Sequence, residues 1–168
     1  MAKTTLQQLL ELGQSPWLDN ITRGLITSGD LKALIDKGIV GVTANPTIFE
    51  KALAGSADYD TGITALFKQN KSASDIYHTL LTEDVTSAAD ILRPVYDRTH
   101  GVDGFISIEV DPGLSGDTEG TIAQAVEFFA GVNRPNVFVK IPATPEGIPA
   151  IEEALYRDAG VPVEFVGH

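Results

Sequence analysis

Short β-branched runs recur along this chain and alternate with longer stretches at helical spacing, and that alternation narrows the available folds more than any other feature. Strand then helix, repeated, builds a parallel sheet, because each crossover packs its helix back onto the strands it joins. Strands are predicted over residues 16–19, 39–45, 104–110 and 136–141, with a fifth over 161–166. Ile76, Leu80, Asp84, Ala88 and Leu92, flanked by Leu81, Val85 and Ile91, recur at helical period and predict a long helix. Pro94 is expected to end or kink it, because proline lacks the amide that continues the ladder. Two or three helical segments separate the second and third strands, over residues 47–93. Asp117 or Thr118 is placed to cap a helix carrying Ile122, Val126 and Phe129, and another helix is predicted from near Pro149, carrying Ile151 and Leu155. No repeat or Gly/Ser linker divides the 168 residues, so they read as one α/β domain of four βα units and the start of a fifth. An open doubly wound sheet fits that length, whereas an eight-stranded barrel takes ~250 residues. Periodicity does not decide between the two.

Composition removes several functions. Hydrophobic residues make up 43% of the chain, enough for a core and too many for a disordered protein. The net charge of −11 argues against a nucleic-acid partner, since phosphate backbones are held by clustered cations. No apolar run approaches the ~20 residues of a membrane helix, and residues 1–5 lack a secretory pattern, so a cytoplasmic location is expected. The absence of cysteine excludes disulfides, thiol catalysis and cysteine-bound zinc.

Side chains alternate across a strand, so each predicted strand divides into two faces. One face is wholly aliphatic: Leu18, then Val40, Val42 and Ala44, then Ile106, Ile108 and Val110, then Val137, Val139 and Ile141. The other carries Trp17, then Gly41 and Thr43, then Phe105 and Ser107, then Asn136 and Phe138, and ends in a polar residue on every strand: Asp19, Asn45, Glu109 and Lys140. Parallel α/β proteins build their sites from such carboxyl ends. A lysine desolvated among apolar neighbours is a nucleophile for carbonyls, and adjacent carboxylates move protons on and off the adduct. Singly, each residue has an ordinary alternative. Lys140 reads equally as a strand-end lysine with its amine in water, Asp19 as a helix cap, and Asn45 before Pro46 as a turn. Glu109 resists that treatment, because a carboxylate in an Ile-rich strand needs a partner or a cavity.

Other motifs carry less. Gly113, Gly116 and Gly120 match no phosphate-loop spacing, and Asp117 and Glu119 add the wrong charge, so a flexible strand-to-helix turn is expected there. His78, His100 and His168 show no metal-ligand spacing and are placed on a helix surface, in a loop and at the terminus. Trp17, Phe128 and Phe129 are assigned to the core.

The segments GQSPWLDN (residues 13–20), GVTANPTIFEKA (41–52), FISIEVDPGL (105–114) and VKIPATPEG (139–147) together resemble transaldolase, most closely the bacterial branch found alone or fused to glucose-6-phosphate isomerase. The resemblance extends to about Arg157 and implies a parallel (β/α)8 barrel of the TIM type, of which this chain holds the first four to five βα units. It implies that Lys140 forms the Schiff base, Asp19 is the general acid/base of carbon–carbon cleavage, Glu109 works through a water in imine formation and hydrolysis, and Asn45 hydrogen-bonds the dihydroxyacetone unit. The implied reaction moves that unit from sedoheptulose 7-phosphate to glyceraldehyde 3-phosphate in the non-oxidative pentose phosphate pathway, with sugar phosphates as partners and no metal or dissociable cofactor. A fructose 6-phosphate aldolase of the same barrel type, or a non-catalytic half-barrel that self-associates or pairs with a missing carboxyl-terminal half, are the alternatives. In the family a threonine follows the fifth strand, and later segments bring the arginine and serine that hold phosphate. Residues 161–168 do not match that strand. The chain is therefore expected to be the amino-terminal half, incomplete at its carboxyl end and inactive alone.

Overall fold

A computed structural model describes residues 3–156 and 161–166 and places five parallel strands in one sheet. They are β1 (Trp17–Leu18), β2 (Gly41–Thr43), β3 (Phe105–Glu109), β4 (Val137–Pro142) and β5 (Val163–Val166). Strand order follows chain order, β1-β2-β3-β4-β5, with every neighbouring pair parallel. A doubly wound sheet reverses its order at a switch point, and this one does not. Successive right-handed crossovers in one direction return every helix to the same face, which is the plan of a (β/α)8 barrel.

The helices are α1 (Thr5–Glu11), α2 (Arg23–Thr27), α3 (Asp30–Asp36), α4 (Pro46–Gly55), α5 (Asp60–Lys68), α6 (Ala73–Arg98), α7 (Thr118–Val132) and α8 (Gly147–Tyr156). The aliphatic face of the sheet lies beneath them. Val42, Ala44, Ile106, Ile108, Val110, Val137, Val139 and Ile141 are buried, packed with Leu80, Leu81, Val85, Ala88 and Leu92 of α6 and Ala125 and Phe128 of α7. Burying each large aliphatic side chain contributes roughly 1.5–3 kcal/mol, so this layer dominates the fold.

Several expectations change in detail. Pro94 does not end α6, since the helix continues to Arg98. The ring removes one bond to the Asp90 carbonyl, and both residues lie on the exposed side, where a lost bond costs little. The buried line of α7 runs through Ile122, Ala125, Phe128 and Val132, with Val126 and Phe129 half-buried beside it. Helix α8 begins at Gly147 rather than Pro149, and its Leu155 faces outward at 52% exposure. Asn136 does not share the inner face, because its Nδ2 donates to the carbonyls of Ala89 and Gly104, both at 2.8 Å, tying the start of β4 to α6. His78 is half-buried, edge-on to Phe128 at 5.4 Å, instead of lying on an open helix surface. His100 falls in a turn as expected, and His168 lies outside the described residues. The segment with Gly113 and Gly116 contains a 3-10 turn (Pro112–Leu114), and Asp117 caps α7 by accepting from the Gly120 amide at 3.0 Å.

Asp84, which sits in the apolar stripe of α6, is buried and fully partnered. Arg23 Nε donates to its Oδ1 at 2.8 Å and the Tyr59 hydroxyl donates to its Oδ2 at 2.7 Å. Burial raises the Asp84 carboxyl above its ordinary value despite both donors. Burial also works against the Arg23 charge, but its bond and attraction to Asp84 outweigh that and hold the guanidinium above its usual range.

Candidate active site

On the face turned away from the helices, side chains form layers. Trp17, Gly41 and Phe105 are in register, as are Thr43, Ser107 and Phe138, and then Glu109, Lys140 and Glu164. Phe138 stacks on Trp17 (6.5 Å, 23°) and on Phe105 (4.1 Å, 24°). Trp17 and its companions therefore form an aromatic floor for the inner face and are not part of the helix-covered core. Gly41 makes that floor possible, because a Cβ there would enter the Trp17 indole. Above the floor the Ser107 hydroxyl donates to Thr43 Oγ1 at 3.0 Å, and above that lies the charged layer.

Lys140 and Glu109 are opposite one another across β4 and β3, with Nζ and Oε2 3.2 Å apart. Their side chains are only 13% and 15% exposed, so Lys140 is not a lysine reaching into bulk water. Its amine also donates to Thr43 Oγ1 at 3.4 Å, a long bond. Glu109 thus finds the partner its Ile-rich strand demanded.

Asp19 and Asn45 stand just past the ends of β1 and β2, and neither is hydrogen-bonded to the Lys140–Glu109 pair. Asp19 is exposed and does not cap the next helix, since Thr22 does so by accepting from the Leu25 amide at 3.1 Å. Asn45 does cap: its Oδ1 accepts from the Ile48 amide at 2.9 Å, with Pro46 opening α4. The cap uses only the carbonyl oxygen of Asn45, leaving its amide donors for other partners.

Three polar residues near the pair were not singled out in the sequence as site residues. Thr43 and Ser107 were placed on this face by alternation, and Glu164 follows from the fifth strand, where it is in register with Lys140. One Glu164 oxygen is buried without a hydrogen-bond partner among the described residues. The arrangement supplies a sequestered amine, a carboxylate in contact with it, and further carboxylates on both flanks.

The chain is similar to known proteins over nearly its whole length. A family model described as transaldolase/fructose-6-phosphate aldolase matches residues 16–163. The transaldolase of Trichodesmium erythraeum is 47% identical over 167 residues, covering 99% of this chain. Those of Saccharopolyspora erythraea and Thermobifida fusca are 46% and 47% identical over 164 and 162 residues. The likeness thus continues past Arg157, and β5 takes the fifth place in the sheet. The chain spans 44% of the length of each of these three relatives. With the match over nearly all of its residues and a sheet in unbroken barrel order, the chain belongs to the transaldolase/fructose-6-phosphate aldolase family.

Proposed function

We propose that the Lys140 amine forms a Schiff base with a ketose, and the observation that carries this is the sequestered amine 3.2 Å from Glu109 at the carboxyl ends of β3 and β4. Glu109 is the nearest acceptor for the proton the amine must lose before it attacks. Nitrogen bonds to the carbonyl carbon, the carbonyl electron pair moves onto oxygen, and a proton passes from nitrogen to that oxygen to give the carbinolamine hydroxyl. Protonated Glu109 returns a proton to that hydroxyl, which leaves as water while the nitrogen lone pair closes the iminium. Asp19 then takes the proton of the hydroxyl two carbons away. The carbon–carbon bond breaks, an aldehyde departs, and its electrons flow into the iminium to give an enamine. Asn45, with free amide donors, holds the hydroxyls of the retained three-carbon unit. Every proton and electron pair is carried by these side chains and water, so the reaction balances without a cofactor.

The names of the relatives support transaldolase as the overall reaction. We propose with it the transfer that the motifs' resemblance implies, the dihydroxyacetone unit passing from sedoheptulose 7-phosphate to glyceraldehyde 3-phosphate in a cytoplasmic pentose phosphate pathway. The family description supports fructose 6-phosphate aldolase as the alternative, separated by whether product requires an aldose acceptor. Among the described strand residues Lys140 is the only cation, and it is paired, so phosphate must be held from elsewhere. We therefore propose that residues 1–168 are the catalytic part of a single barrel domain whose remaining strands, from a longer chain or a second copy, complete the phosphate site. Alone, this part is expected to turn over sugar phosphates poorly.

The test uses dihydroxyacetone, which needs no phosphate site. Cyanoborohydride should fix a three-carbon adduct on the peptide holding Val139, Lys140 and Ile141. No adduct on the parent, or equal trapping in Lys140→Met, would overturn the reading.

A further inference from the structure

Thr43 lies on the inner face of β2, in register with Ser107 and one layer below the Lys140–Glu109 pair, and nothing in the reaction above uses it. Its Oγ1 meets two groups, the Ser107 hydroxyl at 3.0 Å and the Lys140 amine at 3.4 Å. Burial and chemistry decide which of the three has a hydrogen to spare.

Ser107 is completely buried, and Thr43 is the one partner of its hydroxyl among the described residues. An unpaired buried hydroxyl is costly, so the Ser107 hydrogen points at Thr43. An ammonium has hydrogens to give and no lone pair to offer, so Lys140 donates as well. A hydroxyl oxygen has two lone pairs, and both of those on Thr43 Oγ1 are therefore taken. Its own hydrogen is left over and is donated to no group among the described residues. Thr43 is only half-buried and faces the hollow of the sheet, where a ketose must lie to meet the amine.

That free hydrogen fits one step of the reaction. When the amine attacks, a proton has to pass from nitrogen to the carbonyl oxygen. Direct transfer closes a strained four-membered ring. Glu109 has by then taken the first proton of the ammonium and holds it for the hydroxyl that leaves. A hydroxyl standing between nitrogen and oxygen closes a six-membered ring instead, and the Thr43 oxygen already accepts from the nitrogen. We propose that Thr43 is a catalytic residue that relays this proton. Its Oγ1 takes a hydrogen from the attacking nitrogen while its own hydrogen passes to the carbonyl oxygen. The C–N bond forms, the carbonyl electron pair moves onto oxygen, and Thr43 ends as it began, a neutral hydroxyl. Ser107 holds it in place from its buried side. The inference rests on the reading of Lys140 as the imine-forming residue.

The test compares two reactions of the same amine. With cyanoborohydride in excess, the rate at which dihydroxyacetone is fixed on Lys140 follows imine formation. Thr43→Val keeps the branched shape without the hydroxyl and should slow fixation about tenfold or more. Thr43→Ser, which has the hydroxyl again, should recover most of that loss. Methyl iodide alkylates the amine by losing iodide, with no carbonyl oxygen to protonate. Methylation of the peptide holding Val139, Lys140 and Ile141 should therefore run at similar rates in Thr43→Val and the parent. Fixation as fast in Thr43→Val as in the parent would overturn the relay. So would a matching fall in methylation, which would mean that Thr43 only holds the amine. Should Thr43→Val strand the Ser107 hydroxyl and fail to fold, the double variant with Ser107→Ala removes both hydroxyls and faces the same two rates. Fixation in Lys140→Met equal to the parent's, or none in the parent, would instead sink the imine reading and the relay with it.

Discussion

Asp84 and Glu109 are both carboxylates in apolar surroundings, each paired with a cation, yet their surroundings leave them in different condition. Asp84 has a donor on each oxygen, Arg23 at 2.8 Å and Tyr59 at 2.7 Å. The circuit closes on itself, because the Arg23 amide donates to the Tyr59 hydroxyl at 2.9 Å and the guanidinium lies 4.9 Å from the Tyr59 ring centre. Arg23 also reaches Glu83 at 2.9 Å. Both Asp84 oxygens are taken by donors. Glu109 meets Lys140 at 3.2 Å through one oxygen, and the amine's other bond, to Thr43, is 3.4 Å long. A fully satisfied network rigidifies, whereas a partly satisfied one retains capacity for substrate. The first pair fastens α2 to α6, and the second is available for chemistry.

The sharpest way to break this contrast is Lys140→Met. It should abolish the dihydroxyacetone adduct, a loss of several orders of magnitude in trapping rate, while costing less in urea unfolding than loss of Arg23, because the Glu109 side chain is 15% exposed and borders a polar cavity whereas that of Asp84 is 4% exposed. Unfolding as severe as that of an Asp84-pair variant would show the two pairs to be alike. Among the carboxylates of the open site, Asp19→Asn should leave trapping intact and slow carbon–carbon cleavage by on the order of 10²–10⁴-fold, whereas Glu109→Gln should slow adduct formation itself. Equal trapping rates in those two variants would remove the division of labour. Arg23→Met should do the reverse of Lys140→Met, lowering stability by ~3–5 kcal/mol through the uncompensated Asp84 charge, with adduct formation unchanged in the folded fraction. A smaller loss, ~1–3 kcal/mol in chemical unfolding, is expected for Tyr59→Phe, which strips one Asp84 oxygen of its donor.

The smallest expected effect is alkaline. Burial, then the hydrogen bond to Asp84, raises the Tyr59 phenol above its ordinary 10.0. A raised folded value means that the neutral form is favoured by folding. The stability it contributes is complete below pH 10 and is lost as pH rises toward the folded value. Melting temperature should therefore fall above pH 10, and more gently in Tyr59→Phe. Equal slopes would show that Tyr59 is not the group responsible.

The inner ends of β3 and β4 were legible because strict alternation in a strand leaves little freedom. Once Ile106, Ile108, Val137 and Val139 go under the helices, Glu109 and Lys140 must share the opposite face. Periodicity did not decide between barrel and doubly wound sheet, because it records local conformation and not strand order; the barrel came from the four motifs and their resemblance, and the strand order agrees with it. Asp84 stood out in its stripe, but its partners come from 61 and 25 residues away, and no local pattern links them. Helix α1 was missed for a related reason. It is only seven residues long and buries none of them, so Leu6, Leu9 and Leu10 make too short a pattern to stand out, and the Thr4–Gln7 capping box marks its start. Of the two outcomes expected at Pro94, an end to the helix did not occur, because the rule for proline concerns the cost of a lost bond, and at an exposed position that cost is small.

The aromatic floor has a consequence for observation. Trp17 is the chain's one tryptophan, and it lies half-buried on the inner face, against Phe138, away from the helix-covered core. Its emission therefore reports on the hollow of the sheet and hardly at all on the helix layer. Anything that fills or roofs that hollow, whether added strands or a second molecule, will shift the emission to the blue and shield it from iodide. Loosening of the outer helices alone will leave it almost unchanged. The molecule carries its own optical gauge of whether its interior is open to water.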